Sequence, residues 1–178
     1  MNRSAILLFL SLAILQPCAN AQAINWDMTG WQVLTQPLST LPVPDRQGIA
    51  KSLGLKPEEL VALQVATPSG HIFLVQGIYR IGGICGANNC AFWILGSDYK
   101  VVLEKVTQTF KLQATHHGGL PDIITSMHGS AIDSSLSYWE FKGQRYARVA
   151  CADVVYGDDD GNDFKKPHIS PHPCGTGG

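Results

Sequence analysis

Leu136-Ser137-Tyr138-Trp139-Glu140-Phe141-Lys142-Gly143-Gln144-Arg145-Tyr146-Ala147-Arg148-Val149 is two strand-forming runs broken by one turn signal. Aromatic and branched residues favour a pleated, half-buried surface, and Lys142-Gly143 supplies the reversal. The stretch predicts a tight hairpin between strands at 135–141 and 144–151. The same grammar extends upstream. Runs at 60–67, 71–79, 91–95, 99–104, 107–114 and 121–128 are separated by Pro68-Ser69-Gly70, Gly96-Ser97-Asp98, Gly118-Gly119 and Gly129. Connections this short join antiparallel neighbours. The fold class is therefore α+β, mainly β: an antiparallel meander sheet with one short N-terminal helical element.

That helix falls at 44–53, where Ile49, Ala50 and Leu53 share a face and Gly54 stops the helix. Lys56-Pro57-Glu58-Glu59 also has the form of a helix start, but Leu60 to Thr67 suits a strand, and the strand is preferred. Residues 24–44 carry Pro37, Pro42 and Pro44 and are expected to be extended, with Trp26 and Trp31 docked on the core.

The N-terminus has its own pattern. Arg3 gives a positive start, an apolar run covers 5–15, and Ala19-Asn20-Ala21-Gln22-Ala23 offers small-residue cleavage sites. This is the form of a signal peptide, and the run is shorter than the ~20 residues a spanning helix needs. The expected organisation is a signal peptide at 1–23, a single β-rich domain at 24–156, and a flexible acidic and Pro-His-Gly tail at 157–178. The expected location is outside the cytoplasm, periplasmic or secreted, with no transmembrane segment in the mature chain. Pro17 and Gln16 before Cys18 fit a lipoprotein cleavage site poorly.

Cleavage would leave Cys85, Cys90, Cys151 and Cys174. An even count in an exported chain favours disulfides. Four cysteines allow three pairings. The turn-rich Cys-Gly-Ala-Asn-Asn-Cys loop favours Cys85–Cys90, leaving Cys151–Cys174. Loop-closure entropy assigns them about 2 and about 3 kcal/mol respectively.

Thirteen basic against 14 acidic residues give a net charge of −1. With no basic stripe, this argues against a nucleic-acid partner. The acidic run 158–163 lacks a first calcium ligand when Gly161 is set as the turn glycine, and no Glu follows it. His116 and His117 are adjacent and so point to opposite faces of a strand, while His128, His168 and His172 lie far along the chain. No metal and no cofactor is expected. No Gly-x-Ser-x-Gly elbow, Cys-x-x-Cys pair or phosphate-cradling loop occurs. The densest polar cluster is 116–134. There His116, His117 or His128 could act as base, Asp122 as orienter, and Ser126, Ser130 or Ser134 as nucleophile. Lys142, Arg145 and Arg148 could bind a carboxylate or phosphate, but a solvated sheet face is the preferred reading of them.

Two stretches carry a resemblance. One is Cys85-Gly86-Ala87-Asn88-Asn89-Cys90 with Phe92-Trp93-Ile94-Leu95. The other runs from Gly119-Leu120-Pro121-Asp122-Ile123-Ile124 through His128-Gly129-Ser130-Ala131 to Tyr138-Trp139-Glu140-Phe141-Lys142-Gly143-Gln144-Arg145-Tyr146. Together they resemble exported bacterial proteins of uncharacterised function. The second is also similar to one repeat unit of FG-GAP-type propeller proteins; a propeller needs several such units and the chain has room for one. The resemblance implies export and a β-meander and transfers no catalytic residue. The expected role is a disulfide-stabilised binding module recognising a protein or glycan of the envelope. Tyr138, Trp139, Arg145 and Tyr146 form its expected exposed surface. The competing expectation is a small hydrolase at 116–134.

Overall fold

The computed structural model describes residues 24–26, 29–78, 85, 89–130, 132–157 and 167–175. The expected signal peptide, the acidic run 158–163 and residues 86–88 of the Cys85–Cys90 loop lie outside the described residues. One helix, α1 (Val43–Leu53), precedes nine strands: β1 (Leu60–Thr67), β2 (Gly70–Gly77), β3 (Cys90–Gly96), β4 (Val101–Thr107), β5 (Thr109–His117), β6 (Leu120–His128), β7 (Asp133–Phe141), β8 (Tyr146–Val155) and β9 (His168–His172). Every pairing is antiparallel and joins sequence neighbours, as expected for a meander, but β4 does not pair with β5. The meander is therefore two sheets, β1 to β4 and β5 to β9. The break falls at Gln108. Its N–H donates to the Ser126 carbonyl at 2.8 Å, and the Thr107 hydroxyl donates to the same carbonyl at 2.6 Å. These bonds turn the chain off β3 and onto β6.

The sheets pack on each other through Ile72, Leu74, Phe92, Ile94, Phe110 and Ile123, all essentially inaccessible. The outer face of the first sheet packs on α1 through Ile49, Phe73, Val75 and Leu95. The outer face of the second is covered by Ile24, Trp26 and Trp31, which lie against Ile124, Leu136 and Tyr138. A sheet covered on both faces has no need of polar alternation. This is why Ile72-Phe73-Leu74-Val75 and Phe92-Trp93-Ile94-Leu95 are continuous apolar runs, buried residue after residue.

Helix α1 starts behind Pro42 and stops at Gly54, whose φ of 67° is the left-handed conformation a helix end favours. Tyr99 clasps it to the sheet. Its ring stacks on Phe73 at 5.8 Å, its hydroxyl donates to Asp45 Oδ1 at 2.8 Å, and its carbonyl accepts from Ser52 Oγ at 2.6 Å. The ring crosses so close to Gly48 that a Cβ there would sit 2.5 Å from it. The Lys56-Pro57-Glu58-Glu59 signal yields only a 3-10 turn, Pro57–Glu59, ahead of β1.

Residues 32–37 strap two sheet edges. Gln32 exchanges both backbone hydrogen bonds with Phe110 of β5, and the Ala62 N–H of β1 donates to Gln36 at 2.9 Å. The central hairpin differs from expectation in its turn. Phe141 pairs with Tyr146, ring edge to ring face at 5.6 Å, so residues 142–145 form a four-residue loop and Arg145 stands on it.

Both expected disulfides are present, Cys85–Cys90 and Cys151–Cys174. Within the tail expected to be flexible, 168–172 is the outermost strand of the second sheet, paired with 151–155 of β8. A bridged Cys174 is the condition under which this tail is expected to be held, and the Cys151–Cys174 link places the segment where its backbone can pair, although its Pro-His-rich sequence has little to bury. Among the described residues no helix is long and apolar enough to cross a membrane. Replacing Cys151 and Cys174 with Ser is expected to cost about 3 kcal/mol in urea unfolding. Amide exchange should then speed up along 151–155 while β6 and β7 stay protected.

Candidate functional site

Strand β4 is the last strand of the first sheet. It faces the start of β8 across a cavity of about 560 Å³. The cavity touches 102–105 on one side and 145–148 on the other. Consecutive strand side chains point to opposite faces. A space that touches four in a row therefore follows the strand's edge rather than one face. Beyond 151–155 of β8, strand β9 gives no cover, so the cavity reaches the beginning of β8. It continues at both ends. A space of about 570 Å³ shares Val102 and Arg145 with it, and one of about 260 Å³ shares Lys105, Trp139 and Arg148. Together they form a trough along 101–106.

Trp139 is its floor. The indole N–H donates to Thr125 Oγ1 at 2.9 Å, and Lys105 Nζ stands 5.2 Å from the ring centroid, within cation–π range. Arg148 lies directly opposite Trp139 in the β7–β8 register, and its Nη2 donates to the Gly175 carbonyl at 2.9 Å. Tyr146 donates from its hydroxyl to the Pro121 carbonyl at 2.8 Å. Burial, with the charge of Asp122 adding, raises its phenol well above the usual range. Around the central space Lys105, Arg145 and Arg148 stand against Glu104, and the flanking spaces add Lys100, Asp98 and Asp153. The trough thus carries a small excess of positive charge in a chain that is nearly neutral.

The structure brings Trp139, Arg145 and Tyr146 of the expected surface together here. It corrects the expectation that the aromatics form an exposed patch. Trp139, Tyr146 and Tyr138 are 5%, 7% and 6% exposed. They are core because both faces of the second sheet are covered. Tyr138 points away from the trough, to the outer face with Ile124 and Leu136. Of the basic hairpin residues, Lys142 turns away and pairs with Glu140. Lys105 and Glu104 were not identified from sequence, because no local signal places β4 beside β8.

A second polar site occupies the outer face of the same sheet. His117 and Asp122 flank the Gly118-Gly119 turn as diagonal cross-strand neighbours. His117 Nδ1 donates to Asp122 Oδ1 at 2.7 Å, and the carboxylate is wholly buried. Tyr138 donates to Asp122 Oδ2 at 2.7 Å and accepts from Thr115 Oγ1 at 3.1 Å. Burial pushes the Tyr138 phenol up to about 12; the Thr115 bond works against this and the Asp122 carboxylate reinforces it. His117 Nε2 lies 3.9 Å from Glu140 Oε2.

The rest of the expected 116–134 cluster does not converge on this pair. His116 Nδ1 donates to the Ala114 carbonyl at 2.8 Å. His128 is held by its backbone, which exchanges two hydrogen bonds with the Asn89 side chain at 2.9 and 3.0 Å. Ser126 and Ser134 are buried in their strands, and Ser130 Oγ donates to Asp133 Oδ2 at 2.7 Å. The pair resembles the orienting half of a catalytic triad, with no serine of the cluster bonded to it. Among the described residues no three His, Cys, Asp or Glu side chains are grouped to hold a metal ion. Compared with known proteins, the chain matches no family model, no curated protein and no solved structure.

Asp122→Ala removes the acceptor of two buried or half-buried donors. It is expected to cost about 2–3 kcal/mol in urea unfolding. Tyr138 titrates later in the folded chain than in the unfolded one. The stability this confers is complete below a pH of about 10, where a free phenol ionises, and is lost as the pH rises from there to about 12. Phenolate absorbance followed against pH should therefore show Tyr138 and Tyr146 ionising above the range of a free phenol.

Proposed function

We propose that the protein is an exported binding module of the cell envelope, periplasmic or secreted, that recognises an anionic stretch of a protein or glycan in the trough between β4 and β8. One observation carries this reading: Lys105, Arg145 and Arg148 surround a buried aromatic floor in a cleft between two sheets. Guanidinium and ammonium groups over an apolar base suit carboxylates carried on a backbone with some apolar surface. Two disulfides and a sheet covered on both faces support it, because they hold the cleft walls in place before any ligand arrives.

A small hydrolase is the second reading, and the His117–Asp122 pair is the observation in its favour. Such an enzyme would use His117 to draw a proton from water, with Asp122 fixing the tautomer.

One experiment separates the two. The protein, its Lys105→Glu/Arg145→Glu variant and its His117→Ala variant are immobilised and exposed to envelope extract. The binding reading expects one retained partner, about tenfold weaker on the charge-reversed protein and unchanged on His117→Ala, with melting temperatures of all three alike. Equal retention by the charge-reversed protein would overturn it. Turnover of an ester, amide or glycoside that vanishes in His117→Ala would put the hydrolase reading in its place.

A further inference from the structure

Of the four outer strand edges in the two sheets, three are covered or curtailed. The β1 edge receives Gln36 and Pro37, the β5 edge receives Gln32, and β9 is a five-residue strand containing Pro171. The β4 edge is different. Among the described residues no strand pairs with it, and the trough follows it from 101 to 106. At about 3.3 Å per residue this is a run of about 20 Å, long enough for a six-residue extended segment. Val106, at its end, is 53% exposed.

Resting on the trough being the binding site, we infer that its occupant is an extended polypeptide segment, rich in Asp and Glu, that adds to the β4 edge as a further strand of the first sheet. An unpaired edge presents a row of N–H and C=O groups, and an added strand satisfies them whatever its sequence. Specificity then comes from alternate side chains. Those turned toward the second sheet meet Trp139 and the cations Lys105 and Arg145, which favour acidic residues. An oligosaccharide could meet the same cations but would leave the edge amides without a regular partner. The charges Glu104 and Lys105 on β4 itself are the kind of residue that keeps an edge from joining its own copy. The inferred occupant is a segment of a different protein, and self-association is an outcome of the test.

The test uses protein purified from cells producing the full chain. A displayed library of random linear decapeptides is selected on it and counter-selected on Lys105→Glu/Arg145→Glu. The expected product is a set of acidic peptides. Their synthetic forms, N-methylated at alternate residues, should bind at least tenfold more weakly, because each methyl removes a strand donor. Amide exchange within 101–106 should slow when the parent peptide is bound. N-methylated peptides that bind as well as their parents would overturn strand addition, as would a dimer in sedimentation whose β4 amides are already protected. Tri-galacturonate is titrated in parallel. Binding of the oligosaccharide, lost in the charge-reversed variant, with no peptide enriched, would overturn the strand while leaving the trough as the site. No peptide and no oligosaccharide preferring the native protein would remove both.

Discussion

Phe92 of β3 and Phe110 of β5 stack at 5.2 Å, both with no exposed surface, and the two meanders face each other through this contact. Each ring belongs to a different sheet, and each sheet alone would expose its inner face to water. Burying two such rings contributes several kcal/mol, more than any surface interaction in the chain. The break at Gln108 makes the contact geometrically available. The bonds from Gln108 and Thr107 to the Ser126 carbonyl tie the end of β4 to β6 at this break.

From that packing follow the other layers. A sandwich of two meanders leaves two outer faces, and described residues between 24 and 55 cover them. Helix α1, clasped by Tyr99, takes one; Trp26 and Trp31 take the other. The strap at 32–37 ties β5 to β1. No equivalent strap joins β4 to β8 among the described residues, and the trough is what remains between them. The candidate site lies at the place where the fold stops closing on itself.

The two faces of β7 divide the chemistry. Tyr138 faces outward to Asp122, His117 and Thr115, a network whose carboxylate is buried and hydrogen-bonded on both oxygens. Trp139, its neighbour, faces inward to Lys105 and the trough. Adjacent residues on one strand thus serve separate sites because side chains alternate across a sheet. The outward network links side chains of β5, β6 and β7 beside the strand carrying Trp139. Structural support and candidate function are therefore one register apart.

Local chemistry determined much of this protein. Turn residues and apolar runs place eight of the strands; Pro44 and Gly54 mark the helix to within a residue; the turn-rich cysteine loop favours both disulfides. These are short-range matters of backbone preference and loop closure, readable wherever they occur. His117 and Asp122 were also legible as members of one cluster, since a two-glycine turn makes residues on its flanks diagonal neighbours. Tertiary structure alone decided the rest. The break at Gln108 carries no Gly or Pro and depends on a carbonyl 18 residues away in sequence. The strand at 168–172 forms only because a disulfide holds it against β8. The burial of Tyr138, Trp139 and Tyr146 follows from layers laid over them by distant segments. The trough joins Lys105 to Arg145 across 40 residues because two sheets pack face to face. Packing of this kind is set by the summed fit of many side chains, and no single stretch of sequence contains it.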